Sequence, residues 1–486
     1  MQPKLPHSIV RQYLEVEVVG TEAHAFALQS TLAALCRQTL LPVIEQAFER
    51  CCPQDRLIRI DRLELDLGSV ALERLEQELP ALLQHSLGTA LDAHIAARPA
   101  LQDGSASYTT VAHGMDDSLA WFLQWGTLPP ALHLDPGRDF EATLRAYDDQ
   151  EGAGALAPLS AALHAALQSG ACIERLAGQF SAPFARTVLA RMGAQWLAAL
   201  EAAVAQVRAR PTSATAGAAT ATSYGFADEA VLAAVNRLLL RSALHCAARG
   251  SDSSAHALTR DALALALAAG NAAAQARLEE MLEPDLRPGP GQSSRVNPVS
   301  AGEPRMAHPH SVQADAVDHM DRESGIFVEN AGLVLLHPFL GPLFDMLAIS
   351  RGERLLLPAR ALAVLHFLAS GQDNGPEYAL ALPKILCALP LSANVEAGIA
   401  VSAFEQAEGF EMLEAVIAHW SKLQSTSPDG LRGAFLMRPG KLSQRNGEWV
   451  LQVEAHAADI LLSDLPWGVS AIRLPWMEHI LWVEWN

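Results

Sequence analysis

Apolar residues follow two different periods along this chain, and each period predicts a different kind of element. Near the amino terminus, YLEVEVV (13–19) alternates apolar and polar residues, which is typical of a strand with one buried face. LIRIDRLELDLG (57–68) alternates in the same way but changes phase at Asp61–Arg62, which predicts a bulge or bend there. Leucines at helical spacing lie on either side of this second strand: Leu28, Leu32 and Leu35 before it, and Leu72, Leu75, Leu79 and Leu82 after it. Residues 1–98 are therefore predicted to form an α+β unit.

Residues 99–284 are rich in alanine and place apolar residues three or four apart, as amphipathic helices do. DSLAWFLQWG (117–126) has a cap signal at its start and a glycine at its end, so it predicts a short helix. One slowly winding apolar stripe runs through 184–204, and 152–173 predicts a buried helical pair. The low-complexity segment 210–226 interrupts these helices. No seven-residue repeat persists, so packed short helices are predicted rather than a long coiled coil.

The Pro-, Gly- and Ser-rich segment 285–322 is the clearest boundary in the sequence and predicts a disordered linker. The last unit, 323–486, combines apolar helical segments with short runs suited to a small sheet: EWVLQVE, AADILL, AIRL and ILWVEW. The predicted fold class is thus mainly α with α+β ends: an N-terminal α/β unit, an Ala-rich helical middle and a C-terminal α+β unit with short strands.

Tryptophan is concentrated near the end of the sequence, where six of the nine residues lie at or after Trp420. Large aromatic side chains can supply the core of a thin sheet, because each buries roughly 150–250 Å². They can also serve as exposed anchors for a partner. The sequence leaves both alternatives open.

Composition and charge limit the classes of function. The 54 acidic residues outnumber the 35 basic ones, and the formal charge of −19 does not suit a nucleic-acid surface or adhesion to an anionic membrane. Residues 1–20 contain no apolar core of signal-peptide length, so secretion by that route is not expected. The uncharged stretch 152–173 is interrupted by Pro158, His164 and Gln168, so stable membrane insertion is not expected either. The six cysteines form no C-x-x-C pair, which predicts buried free thiols in a reducing compartment.

The sequence contains no phosphate-binding G-x-x-x-x-G-K-[ST] loop, no G-x-S-x-G and no H-E-x-x-H. Glu64 and Asp66 would share one strand face, as a carboxylate site requires, but a solvated face is favoured. The spacing of His337, His366 and His419 favours core or helix-end histidines over a metal site. No catalytic residue, cofactor or metal site is therefore predicted.

DGLRGAFLMRPGKL (429–442) is the most specific polar stretch. Its glycines permit positive φ and its cations lie close together in sequence: Gly430, Gly433 and Gly440, with Arg432, Arg438 and Lys441. The stretch is either a site for an anion or an acidic partner, or a glycine-adapted turn that joins helix to sheet. The structural alternative is favoured.

Several long motifs together resemble one protein family. HSIVRQYLEVEV and IRIDRLELDLG lie near the amino terminus, VENAGLVLLHPFL follows the predicted linker, and AHWSKLQSTSPDGLRGAFLMRPGKL, LPWGVSAIRLPWM and VEW close the sequence. WFLQWGTLPP adds a weaker likeness in the middle. The combination resembles the tape measure proteins of extracellular contractile injection systems, of the antifeeding prophage and Photorhabdus virulence cassette type.

The resemblance implies a non-enzymatic structural assembly protein that sets inner-tube length and docks at the baseplate or spike end. The implied partners are the inner tube proteins and the baseplate or spike proteins, with self-association as a further possibility. The implied location is the bacterial cytoplasm during assembly and then the tube lumen. A soluble assembly chaperone or adaptor that loads particle components or cargo is the alternative.

Residues in both ends of the sequence are predicted to specify the fold or the docking contacts. They comprise the second strand with its exit turn, the glycine–arginine turn and the two Pro-Trp pairs: Asp61, Leu63, Leu65, Gly68, Gly430, Arg432, Gly433, Pro466, Trp467, Pro475 and Trp476.

Overall fold

The computed structural model describes most of the chain. The described residues are 35–51, 56–60, 63–71, 74–96, 106–129, 139–148, 158–209, 221–282, 325–395, 398–423 and 426–485, with residues 14, 16, 32, 132 and 134. The chain divides into two compact units: Met1–Asp117 with Ala131–Gly152, and Ser118–Pro130 with Ala153–Asn486. The sequence boundaries at 98, 284 and 322 stay predictions.

The first unit is built on a helix pair. Its helices are α1 (Leu41–Cys51), α2 (Leu75–Ala96), the start of α3 (Val111–Trp125) and α4 (Phe140–Asp148). Its strands β1 (Arg56–Ile60) and β2 (Ala106–Thr110) pair antiparallel. The helices α1 and α2, with Leu40 just before α1, bury a shared leucine-rich stripe: Leu40, Ile44, Ala47, Leu79, Leu83, Leu87 and Leu91.

The LELDLG stretch differs from its prediction. Among the described residues of the predicted strand 57–68, only those of β1 join a ladder, and the partner strand β2 was not predicted. Residues 63–71 carry no helix or ladder pairing, but Leu63, Leu65 and Leu67 pack half-buried against the α1–α2 core, while Glu64 and Asp66 are exposed. The predicted alternation of buried and exposed side chains is therefore present, but the buried side packs against helices and not in a sheet. Most of 13–19 and Asp61–Arg62 lie outside the described residues.

The second unit begins with a bundle of middle helices. They are α5 (Ala161–Ala166), α6 (Gly170–Gln179), α7 (Ala182–Met192), α8 (Ala194–Ala209), α9 (Ala221–Arg249), α10 (Ala255–Ala268) and α11 (Ala272–Leu282). The pair α5–α6 confirms the predicted helical pair. The predicted apolar stripe 184–204 is divided between two helices, α7 and α8, because α7 ends at Gly193, whose φ is +156°.

Residues 325–485 add short helices and a sheet. The helices are α12 (His337–Met346), α13 (Pro358–Ser370), α14 (Ala381–Leu386), α15 (Ala403–His419) and α16 (Pro428–Leu431), with 3-10 segments Ala331–Leu336, Glu377–Leu380, Ser421–Leu423 and Ala457–Asp464 and a π segment Arg432–Leu436. The strands are β3 (Ile326–Val328), β4 (Ser350–Arg351), β5 (Arg354–Leu355), β6 (Gly440–Arg445), β7 (Glu448–Val453), β8 (Ala471–Ile472) and β9 (Leu481–Trp485).

Five of these strands form a mixed sheet in the order β3-β6-β7-β9-β8, in which β7 and β9 are parallel and the other pairs antiparallel. Leu442, Leu451 and Val483 share one register row and point into the core, since all three are buried. The AADILL run is a 3-10 segment and not a strand, because its polar cap His456–Asp459 closes a helical turn. The fold is mainly α with an α+β end, as predicted.

The described part of the chain has one helical stretch, Glu229–Arg249, that is long and apolar enough to cross a membrane by length and composition, and 44% of it is buried in the fold. Core helices of folded bundles share that composition. The uncharged stretch 152–173 is described from residue 158 onward and includes α5 and the start of α6. Its Leu163, Leu167 and Ile173 side chains are buried within the fold.

Gly332, in the 3-10 segment Ala331–Leu336, packs directly against the backbone of Phe435. A Cβ there would overlap the Phe435 carbonyl oxygen, so Gly332→Ala is expected to destabilise the fold by about 3 kcal/mol. Gly433→Ala is the matched control: nothing lies within 4 Å of its Cβ position, and we expect a change below about 1 kcal/mol. Urea unfolding followed by tryptophan fluorescence measures both, and equal losses of stability would contradict the packing.

Candidate functional site

Tryptophan side chains near the end of the sequence form hydrogen bonds to earlier helical segments of the same body, residues 325–485. The indole Nε1 of Trp467 donates to the carbonyl of Leu335 at 3.0 Å, and that of Trp476 donates to Leu386 at 2.8 Å. Trp476 also stacks on Phe344, with ring centroids 5.4 Å apart. Pro466 and Pro475 lie exposed beside these inserted rings. Each Pro-Trp pair therefore joins a loop of the last residues to a separate helical segment.

Trp420 and Trp482 show the two extremes of tryptophan exposure. Trp420 is fully buried and donates to the Leu461 carbonyl at 3.2 Å. Trp482 is 42% exposed on the outer face of the sheet, where its indole nitrogen donates to Glu448. The aromatic cluster is thus mostly core, and Trp482 fits the exposed-anchor alternative.

Arg432 is a buried helix cap. Its Nε donates to the Leu368 carbonyl at 3.1 Å, and its Nη2 to the Phe367 carbonyl at 3.3 Å. These carbonyls close the last turn of α13, where a cation is favoured by the helix dipole. The guanidinium also contacts the Phe367 and Phe410 rings, 5.2 and 4.9 Å from their centroids. Every contact here is internal, which supports the structural alternative for this stretch.

Arg438 connects the same stretch to the sheet. It donates to both carboxylate oxygens of Asp459, at 2.9 and 3.0 Å, and to the Glu454 carbonyl at 2.6 Å. Burial opposes ionisation of Asp459, but the bonds from Arg438 and from the His456 N–H outweigh it and lower the pKa of that carboxyl. Arg438 is itself buried, so it forms part of the core.

The glycines of this stretch do not have the predicted backbone role. None of Gly430, Gly433 and Gly440 has a positive φ. Gly440 is required for close approach, because a Cβ there would lie 2.7 Å from the Ala331 Cβ and 2.9 Å from the Gln452 carbonyl oxygen. Gly68 does have a positive φ, +69°, and its N–H donates to Asp66 at 2.9 Å, so a turn forms there although residues 63–67 before it form no strand.

A buried ion cluster within the second unit was not predicted. Arg175 of α6 donates to Glu377 at 3.0 Å, and Lys384 of α14 donates to the other oxygen of Glu377 at 2.6 Å. These side chains are at most 1% exposed. Carbonyls of Leu123, Ser392 and Leu391 accept the remaining bonds. We call Arg175, Glu377 and Lys384 the ionic cluster.

The end of α3 shapes one side of the ionic cluster. Gly126 has a φ of +69°, and a Cβ there would clash with the Glu377 carboxylate and lie 3.0 Å from Lys384 Nζ. The Leu123 carbonyl, in the last turn of α3, brings the negative end of that helix to Arg175. Two cations share one carboxylate, so carbonyl dipoles offset the surplus positive charge. Burial lowers the pKa of Lys384, Glu377 opposes that shift, and Arg175 adds to it.

The histidines occupy three separate places. His337 Nδ1 donates to the Val334 carbonyl, 3.0 Å away, and His419 Nδ1 donates to the Ala415 carbonyl, 2.7 Å away. His366 is buried beside a cavity of about 20 Å³ whose lining includes Asp373 and Leu380, and neither ring nitrogen has a partner among the described residues. Burial lowers the pKa of His366.

Sequence reasoning identified the Pro-Trp pairs and Arg432 but missed Arg175, Glu377, Lys384 and Gly126. One signal was available. The sequence contains four lysines, and Lys384 stands inside the apolar run ALALPKILCALPL. Lysine in such a run is unusual unless it is paired.

The fold thus combines a helical bundle with a compact body closed by buried tryptophans and arginines, and the described residues contain no group of three or more His, Cys, Asp or Glu that could hold a metal ion. The model of the contractile injection system tape measure protein family matches residues 6–485. The chain belongs to this family, and its role is structural, in tail assembly. No curated protein and no solved structure gives a significant match.

The surplus positive charge in the ionic cluster predicts which substitution lowers the free energy of unfolding more. Glu377→Gln leaves two buried cations unpaired and is expected to cost about 3–5 kcal/mol of unfolding free energy. Lys384→Met removes one of the two buried cations, with its bonds to Glu377 and Leu391, but leaves the Arg175–Glu377 pair, so a smaller loss of about 1–2 kcal/mol is expected. Urea unfolding measures both. A larger loss for Lys384→Met would contradict the assigned charge balance.

The buried His366 predicts that the free energy of unfolding depends on pH. Its pKa is lowered in the folded state, so the unfolded chain binds more protons as pH falls below 6.5 and stability is lost. The loss should approach about 1.4 kcal/mol per pH unit at most. His366→Leu should flatten the decline between pH 6.5 and 5, whereas His419→Gln should retain it. Thermal melts across this range measure the slope, and an unchanged slope in His366→Leu would refute the assignment.

Proposed function

We propose that this protein sets the length of the inner tube and docks at the baseplate or spike end. The observation that carries the proposal is the family match, which spans residues 6–485 and so includes both motif-bearing ends and the middle. In this proposal the partners are inner tube proteins and baseplate or spike proteins. The protein is in the bacterial cytoplasm during assembly and in the tube lumen afterwards.

The body formed by residues 325–485 is suited to docking. Its core is closed by buried anchors, while the outer face of its sheet carries Phe327 at 49% and Trp482 at 42% exposure. A row of cross-strand neighbours, Glu484, Gln452, Lys441 and Phe327, runs across that face. Aromatic groups set among polar ones are the pattern of interface hot spots with a polar rim. We assign the docking contacts to this face.

The folded middle supplies little length by itself. The 29-residue helix α9 spans about 44 Å at 1.5 Å per residue. The same number of residues in extended chain would span about 100 Å. Tube length under this proposal therefore depends on how much of the chain between the two ends is extended.

Insertions into 285–322 test the ruler directly. Forty added residues are expected to lengthen the tube by about 60 Å if they are helical. Extended residues would add about 140 Å. The same insert placed at 446–447, in the turn between β6 and β7 of the docking body, should loop out and leave the tube length unchanged. Negative-stain electron microscopy of purified particles gives the length distribution.

An unchanged tube length in the 285–322 series would contradict the ruler. Mass spectrometry of the same particles separates the remaining alternative, because a tape measure stays in the particle whereas an assembly chaperone or adaptor is absent from it.

A further inference from the structure

The hydrophobic core of residues 325–485 is closed. Every buried residue of that core lies between Ile326 and Val483, and every half-buried hydrophobic residue packed against it lies between Phe339 and Trp485. In the described part of the chain, no residue of the middle helices belongs to this core. The middle helices and the carboxyl-terminal body therefore meet outside this core.

Polar contacts make that join. Arg175 donates to Glu377 at 3.0 Å and to the Ser392 carbonyl at 2.7 Å. Beside them, Gln179 donates to the Val395 carbonyl at 2.7 Å, and Asn394 donates to the Ala171 carbonyl at 3.0 Å. Phe122 and Tyr378 add an edge-on ring contact, with 6.4 Å between their centroids. We call this set of contacts, with the ionic cluster, the junction.

A join of this kind can open without destroying either body. Charged and amide groups regain hydrogen bonds to water when they separate, whereas exposed apolar surface has no such compensation. Buried ions also begin at a disadvantage, because their desolvation offsets much of their mutual attraction. Opening the junction would leave the core of 325–485 intact.

We propose that the junction is a latch that holds the middle helices against the carboxyl-terminal body and opens during tube assembly. The inference rests on the proposed ruler function, which needs the middle to extend while the docking body stays folded. In the closed state Arg175 and Gly126 fit around Glu377 and Lys384. In the open state the helices from α5 to α11 are free to follow the tube axis, and residues 283–324 keep them connected to the body.

A reversible cross-link tests the latch in the full-length protein. Ala171→Cys with Asn394→Cys, in a Cys172→Ala background, would lock the junction on oxidation. Asn330→Cys with Ala379→Cys is the matched control, because there too an asparagine amide donates to an alanine carbonyl at 3.0 Å, but within the carboxyl-terminal body. Particles are assembled from each protein with and without reductant, and their lengths are measured by electron microscopy.

The latch predicts that the oxidised junction cross-link abolishes particles of native length, that reductant restores them, and that the oxidised control assembles normally. Native-length particles from the oxidised junction variant would overturn the latch and leave the insertion test of the ruler untouched. If the first pair fails to fold in the reduced state, Gln179→Cys with Val395→Cys crosses the same junction and decides the question by the same readout.

Discussion

The burial of Glu377 between two cations is the constraint on which the second unit depends. One carboxylate inside the protein must be satisfied by Arg175 and Lys384, and the surplus charge must be offset by carbonyl dipoles. This fixes where α3 must end, since Gly126 alone leaves room for the carboxylate. It also fixes how α6 meets the loop that follows α14. The glycine that follows α3, Gly126, is therefore explained by a carboxylate much later in the sequence, that of Glu377.

The dense group of tryptophans solves a different physical problem. The sheet is small and mixed, and its strands are short, so pairing alone holds it weakly. Indole rings give large apolar contacts, and their N–H groups find backbone carbonyls at Leu335, Leu386 and Leu461. Each ring thus adds apolar contact area and one hydrogen bond to a backbone carbonyl of a helical segment.

Periodicity predicted the helices and most of the carboxyl-terminal strands, because local apolar spacing determines which face is buried. It failed where a residue's partner is distant in sequence. β1 pairs with β2, a strand with no alternating signal, and LELDLG packs on helices although its pattern is that of a strand. The ionic cluster was missed for the same reason, since Arg175 and Glu377 are separated by 202 positions. The Pro-Trp pairs were found because large aromatics carry their own signal.

The position of β3 in the sheet has a mechanical consequence. Tension transmitted along the chain that precedes Gly325 would act first on β3, an edge strand that shares three residue pairs with β6. Strand β9 is held between β7 and β8 and would resist the same load for longer. Because Ile326 and Val328 are part of the core, peeling β3 would expose apolar surface at one defined place. Under traction the docking body would therefore yield from its amino-terminal edge inward, and the tryptophan-anchored loops would be the last to release.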